Sequence, residues 1–311
     1  MKSLTFFNNR AGVGKTTMTF NLAHMFARMN RTVAVLDCDP QCNLSALALS
    51  EDQLAEAVEA KPGEGRTVAA CLEPVRLGGV EVHAPRLLEI GENVSILPGD
   101  LSLSLFEDML VRGADSGLHD VTALERLMAM IDDACDADIM LFDVGPSLGA
   151  LNHAVLFACD AIVLPLAPDL LSLRGMKLVG QTVAGWKAES GDAPRRAMRP
   201  IGYVIQQHLA REEFPRSGYA RWSRRIPDDY EQYVLGLAPR RAPRAVDETP
   251  HCLSHQRHFA SLVPLARMAG KPLFDLTHAD GVLGSQFQLV ERARVEFTAL
   301  AQKILTQLDA K

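Results

Sequence analysis

Residues 9–17 read Asn9-Arg10-Ala11-Gly12-Val13-Gly14-Lys15-Thr16-Thr17. They stand between an apolar run, Leu4-Thr5-Phe6-Phe7, and a helix-like stretch, Met18–Met29. Strand, glycine-bearing turn, Gly-Lys-Thr and helix is the order that a phosphate-binding loop requires. Glycines let backbone N–H groups turn inward around phosphate oxygens. The helix that follows aims its N-terminal dipole and its free N–H groups at the same anion. Ala11, Gly12, Val13, Gly14, Lys15, Thr16 and Thr17 are therefore the expected phosphate-binding residues. Lys15 adds a point charge for β- and γ-phosphates, and the Thr16 hydroxyl is placed to ligate Mg²⁺. The common pattern G-x-x-x-x-G-K-[ST] has glycine where this chain has Asn9.

Two further runs have the composition of strands buried on both faces of a parallel sheet, and each ends in an acid. The first is Thr32-Val33-Ala34-Val35-Leu36-Asp37, which continues as Cys38-Asp39-Pro40-Gln41-Cys42-Asn43. The second is Ile139-Met140-Leu141-Phe142-Asp143, which continues as Val144-Gly145-Pro146-Ser147-Leu148-Gly149. Polar residues at the carboxyl ends of such strands lie where open α/β sheets bind ligands. An acid closing a hydrophobic strand, paired with a phosphate loop, meets the Mg²⁺ shell.

Together these segments resemble the ParA/MinD ATPases, and among them the ParA partition branch. Arg10–Thr17 is similar to their deviant Walker A loop, K-G-G-x-G-K-T-T, with Arg10 at the signature lysine and Ala11 at the next glycine. Asp37–Asn43 resembles their D-x-D-P-Q-x-N switch I, and Asp143–Gly149 their D-x-x-P-S-L-G switch II. The resemblance implies a P-loop NTPase fold: α/β, a mostly parallel twisted sheet with helices on both faces, here one domain over residues 1–311. It implies ATP and Mg²⁺, with Thr16, Asp39 and Asp143 at the metal, the aspartates through water. Lys15, Asp39 and Arg10 are the implied catalytic set. Asp39 orients water, and Arg10 reaches a partner subunit's nucleotide in a homodimer formed on ATP binding. Arginine keeps the charge of lysine and adds a bidentate fork for phosphate. The end of Ile201–Gln206 and the Leu262–Leu265 region, through Gln206 and Pro264, are the implied neighbours of the base. The chain has no N-K-x-D or T-K-x-D guanine reader, which favours adenine. The family's γ-phosphate-sensing Asn would fall near Ala154, whereas the chain offers Asn152-His153. The family's output is positioning or partition of a cargo such as a plasmid, through DNA or a ParB-like activator.

The bulk composition fits that reading. The 311 residues are 48% hydrophobic and 23% charged, ordinary for a globular protein. No apolar run reaches membrane-spanning length. Met1-Lys2-Ser3 leads directly into the expected first strand, so no signal peptide is expected, and the six cysteines form no C-x-x-C. Reduced structural thiols in a cytoplasmic, nucleoid-associated protein are the expectation. The net charge is −6, yet Arg195–Arg244 holds eleven arginines, no lysine and five acidic residues. Such asymmetry marks a face for nucleic acid or an acidic partner.

That Arg-rich stretch looks like an insertion over about 211–260. Tyr219, Trp222, Ile226, Tyr230 and Tyr233 recur at helical spacing and read as a core-facing stripe. Arg216, Arg221, Arg224 and Arg225 then become candidates for contact with DNA phosphates. His251, His255 and His258 near Cys252 suggest an exposed helix start rather than a metal site. Lys271–Leu276 reads as a last short strand. Ser285–Leu308 reads as a closing helix docked on the core rather than a membrane-seeking tail. Two alternatives to an ATP-driven switch stand beside it. One is a scaffold or regulator that binds nucleotide and barely hydrolyses it. The other is a reductase like the nitrogenase iron protein, with Cys135 and Cys159 as its weak candidates for cluster ligands.

Overall fold

The structure is a computed structural model that describes residues 1–61, 63–112, 119–189, 198–206, 218–238 and 250–310. Among these, eight strands form one sheet: β1 (Lys2–Phe6), β2 (Val33–Asp37), β3 (Leu88–Gly91), β4 (Val94–Leu97), β5 (Ile139–Asp143), β6 (Ala161–Leu166), β7 (Arg199–Ile205) and β8 (Cys252–His255). Their spatial order is β3-β4-β2-β5-β1-β6-β7-β8. Every pairing is parallel except β3 with β4, which makes an antiparallel edge. The chain leaves β1 toward one side to reach β2 and later crosses to β6 on the other. The loop after β1 therefore opens at a reversal of strand order, where such sheets form a crevice.

The two faces divide the strand residues by alternation. Ala34, Leu36, Met140 and Phe142 belong to one core, and Val33, Val35, Ile139 and Leu141 to the other. That is why β2 and β5 read as unbroken apolar runs. On the first face pack α4 (Val68–Arg76), α5 (Leu103–Arg112), α6 (His119–Cys135), α7 (Ala150–Ala158) and α8 (Leu170–Glu189). On the second pack α1 (Lys15–Arg28), α2 (Asn43–Ala48), α11 (Val263–Ala269) and α12 (Gln286–Asp309). The short α3 (Glu51–Val58) follows α2, and α9 (Gly218–Ser223) and α10 (Ile226–Asp229) precede β8. The expected mostly parallel sheet with helices on both faces is thus the observed architecture.

Helix α12 docks as its apolar stripe requires. Val290, Ala293, Phe297, Leu300, Ala301, Ile304 and Leu308 are buried, while Phe287 stays 44% exposed. Three local expectations need correction. Lys271–Leu276 is not a strand: Leu273–Asp275 forms one 3₁₀ turn that buries Leu273 and Phe274. The histidine-bearing stretch is not a helix start, because Cys252–His255 is the edge strand β8. Gly202 (φ +150) makes that pairing possible, since a Cβ there would lie 2.7 Å from the His251 carbonyl. The stripe from Tyr219 to Tyr233 is not one helix. Pro227 starts α10 anew, and Tyr230–Val234 winds as a π-turn. Ile226 and Tyr230 are nonetheless buried, as the spacing implied. Arg216 and the Tyr219 side chain lie outside the described residues, as do 239–249 of the insertion.

Candidate functional site

A cavity of about 400 Å³ opens at the carboxyl end of the sheet. The loop after β1 forms one wall through Ala11, Gly12, Gly14, Lys15, Thr16 and Thr17. Gly12 and Gly14 have φ +72 and +80, the left-handed region that lets consecutive N–H groups converge. Asp39, Gln41 and Asn43 after β2, and Val144 and Pro146 after β5, face the loop across the cavity. Phe20, Leu47, Val263, Ala266 and Leu273 supply an apolar flank.

Parallel pairing of β2 with β5 sets Asp37 beside Asp143 in register. Both are buried. Asp37 is used structurally: its Oδ2 accepts the Ser45 N–H (2.8 Å) and hydroxyl (2.7 Å), and Oδ1 accepts the Asp39 N–H (3.2 Å). Ser45 Oγ accepts the Gly99 N–H at 2.8 Å. Burial nonetheless raises the Asp37 carboxyl to about 6 against these hydrogen bonds. Asp143 is different. Neither of its oxygens completes a well-formed hydrogen bond among the described residues, although the Thr16 hydroxyl is close enough to favour its charge. Burial, and then the neighbouring Asp37 charge, push its carboxyl well above the usual range, with Thr16 and Lys15 pulling the other way. A buried carboxylate without a well-formed hydrogen bond is costly. Here it sits beside a phosphate-type loop, which fits a bound cation. Among the described residues no three metal-binding side chains converge on one point. A single buried aspartate beside a phosphate-type loop is a donor set that Mg²⁺ accepts, since it takes one or two protein ligands and completes its shell with water and phosphate.

Lys15 is 7% exposed. Its Nζ donates to the carbonyls of Asn8 (3.1 Å) and Arg10 (3.2 Å). Burial lowers its ammonium, opposed by Asp143 and Asp39. Asp39 Oδ1 accepts the Gln41 N–H at 3.0 Å, which sets the turn through Pro40. A Cβ on Gly145 would lie 3.3 Å from that same oxygen, so the loops after β2 and β5 touch. Asn152 ties the second loop together: its Nδ2 donates to the carbonyls of Gly145 (3.0 Å) and Ser147 (2.8 Å).

The remaining expected residues lie outside the cavity wall. Arg10 is ion-paired with Asp169 of its own chain. Val13 is buried beneath the loop. Gln206 packs against Gly14 and Met18. Pro264 is exposed at the start of α11, and its neighbours Val263, Ala266 and Arg267 line the cavity instead. Sequence reasoning missed Asp169, Ser172 and Gly175 at the start of α8, which no local motif connects to the loop. Arg221, Arg224 and Arg225, none of which lines the cavity, are exposed; the Arg221 and Arg225 guanidinium carbons stand 5.2 and 5.3 Å from the Trp222 ring centre, and Arg225 pairs with Asp229 at 3.5 Å.

Comparison with known proteins agrees with this arrangement. A family model described as an AAA domain matches residues 1–191. The protein MJECL24 of Methanocaldococcus jannaschii is 26% identical over 77% of this chain and 85% of its own length. The chromosome-partitioning ATPase Soj of Treponema pallidum is 28% identical over 58% of this chain, and the match spans 63% of Soj. The crystal structure of a plasmid partition protein of Borrelia burgdorferi bound to AMPPNP superposes over 98% of both chains, with TM-score 0.66 and 14% identity, which shows a shared fold. The chain belongs to this AAA-domain family, with the P-loop of ParA/MinD-like proteins.

Proposed function

We propose that the protein is a ParA-like ATPase, one domain over 1–311 with an Arg-rich insertion at about 211–260. It binds Mg-ATP at Ala11–Thr17, closes as a nucleotide-sandwich homodimer, and hydrolyses ATP to switch its hold on DNA or a protein partner. The observation that carries this reading is the fully buried Asp143 carboxylate set beside Lys15 and Thr16 of a glycine loop, with no well-formed hydrogen bond of its own. Thr16 and Asp143 would hold Mg²⁺, with Asp39 behind a water, and the ion would supply charge neutralisation at the phosphates. Lys15 exchanges two loop carbonyls for β- and γ-phosphate oxygens. Asp39, fixed by its own turn, orients water for in-line attack. Arg10 adds charge at the partner's nucleotide. Positioning and charge neutralisation suffice in kind for phosphoryl transfer.

Release of the switch loops on hydrolysis would report to the output surface. Exposed Arg221, Arg224 and Arg225 favour duplex DNA there, for partition of a plasmid or chromosome region in the cytoplasm. A ParB-like activator would set the rate. Turnover of ATP by wild type and by Lys15→Ala tests the core: loss of binding and turnover is expected, and retention of both would refute it. DNA binding is tested by a salt series with no nucleotide, ADP and ATP. Binding that needs ATP, falls with salt and weakens in Arg221→Ala/Arg224→Ala is expected.

A second reading is a nucleotide-binding scaffold with little turnover. The pairing of Arg10 with its own chain favours it. Multiple turnover by the isolated chain, or with its activator, would remove it.

A further inference from the structure

Arg10 carries the first charge of the loop, and its own chain holds that charge. The guanidinium is paired with Asp169, and Nη1 stands 3.4 Å from Ser172 Oγ. Both partners are themselves fixed. Asp169 Oδ1 accepts the Ser172 N–H at 2.9 Å, which ties down the start of α8. Ser172 is fully buried, and its hydroxyl accepts the Ala167 N–H at 3.2 Å. The base of Arg10 is fixed as well: its N–H donates to Asn8 Oδ1 at 3.0 Å, and Asn8 Nδ2 donates to the Pro165 carbonyl at 2.9 Å. Helix α8 comes this close because residue 175 is glycine. A Cβ there would lie 2.0 Å from Asn9 Oδ1 and 2.7 Å from Asn8 Oδ1.

The geometry points to Asp169 as a positioning residue that keeps Arg10 within its own subunit until a second copy's nucleotide claims it. This rests on the reading above that Arg10 acts across a nucleotide-sandwich dimer. In this assignment Arg10 swings from Asp169 to the partner's phosphate, so each protomer breaks this pair to dimerise. The pair is 31% and 34% exposed on its two sides, and an ion pair of that exposure holds by a factor of roughly 3. The apparent affinity of a protein falls by the fraction that is competent. Two protomers contribute, so the factors multiply to roughly tenfold in the dimer dissociation constant. Asp169 thereby raises the concentration at which ATP drives assembly without touching the nucleotide.

Sedimentation velocity of the full chain with Mg²⁺ and AMPPNP tests this. Asp169→Asn removes the charge and keeps a residue that caps a helix start; unchanged melting without nucleotide confirms that it folds. The expected result is a dimer roughly tenfold tighter than wild type, with nucleotide affinity of the monomer unchanged. Asp169→Glu, which retains a carboxylate, stays near wild type. The difference between wild type and Asp169→Asn narrows at high salt, because an exposed pair is screened. In an Arg10→Ala background Asp169→Asn changes nothing. A dimer no tighter in Asp169→Asn, or a tightening that persists without Arg10, overturns the assignment. If wild type dimerises and Asp169→Asn matches it, only the latch fails. If neither protein dimerises with nucleotide, the sandwich reading fails and the latch with it.

Discussion

Helix α1 has a cavity at each end, and the two differ in chemistry more than in size. The one at its N-terminus measures about 400 Å³. The one at its C-terminus, lined by His24, Arg28, Glu92, Asn93, Lys271 and Asp275 among others, measures about 480 Å³. The larger cavity has its cations matched already. Arg28 pairs with Asp275 and lies 5.0 Å from the centre of the Phe274 ring. Lys271 Nζ donates to Asp280 at 2.7 Å. Arg28 also sits in the last helical turn, where a cation complements the dipole. At the N-terminal end the dipole is met by no acid in the first turn, and Asp143 completes no well-formed hydrogen bond among the described residues. The C-terminal end has an orphan of its own, His24 Nε2, but on an imidazole that burial keeps neutral; a buried acid beside an unmet helix dipole, rather than volume, separates the two ends.

Four outcomes would break or sharpen this contrast. The largest is at the N-terminal end. Lys15→Ala should lower ATP turnover by at least about 100-fold, the usual loss of a group that stabilises developing charge; a phosphate-release assay measures it.

The next is at the C-terminal end and depends on pH. Burial, with Arg28 adding, lowers the His24 imidazole from 6.5 to about 4. The unfolded chain then binds the proton first, so stability is fully present above pH 6.5 and declines as pH falls toward about 4. Urea unfolding at pH 7 and pH 4.5 should differ by about 2 kcal/mol more in wild type than in His24→Phe.

Smaller still is Asp143→Asn. Removing a buried acid with no well-formed hydrogen bond should leave the nucleotide-free melting temperature unchanged or higher by a few degrees, equivalent to about 1 kcal/mol. The same variant should lose the Mg²⁺ dependence of nucleotide binding, which calorimetry reads. The smallest is Arg28→Met. Its ion pair is 44% and 28% exposed, so the loss in urea should stay under about 1 kcal/mol.

The N-terminal end was legible because each of its segments directly continues a strand that is plain in the sequence. The loop follows β1, and Asp37, Asp39 and Asp143 close runs whose burial on both faces leaves no alternation to misread. The rest was hidden where neighbours decide. Strand β8 is four residues with one buried position, too short and polar to read against its histidines. Leu273–Asp275 looked like a strand because Leu273 and Phe274 are apolar, yet they are buried from a single turn. The Tyr219–Tyr233 stripe showed which side faces in but not its breaks, which Pro227 and the π-turn impose. Asp169, Ser172 and Gly175 meet the loop only because β6 lies beside β1, and sheet order is not written in any one segment. The apolar flank of the cavity came from Val263, Ala266 and Leu273 rather than Pro264 for the same reason.

The central claim is that the N-terminal end of α1 is a nucleotide site and the C-terminal end is not. Thermal unfolding of the full chain with Mg-ATP, with Mg-GTP and with Mg²⁺ alone tests it most directly, beside Lys15→Ala and Arg28→Met. At 100 times its dissociation constant, Mg-ATP should stabilise wild type and Arg28→Met alike by about 2.7 kcal/mol. Lys15→Ala should show no shift, and Mg-GTP little. An equal shift in Lys15→Ala, or a shift lost in Arg28→Met, would contradict the account.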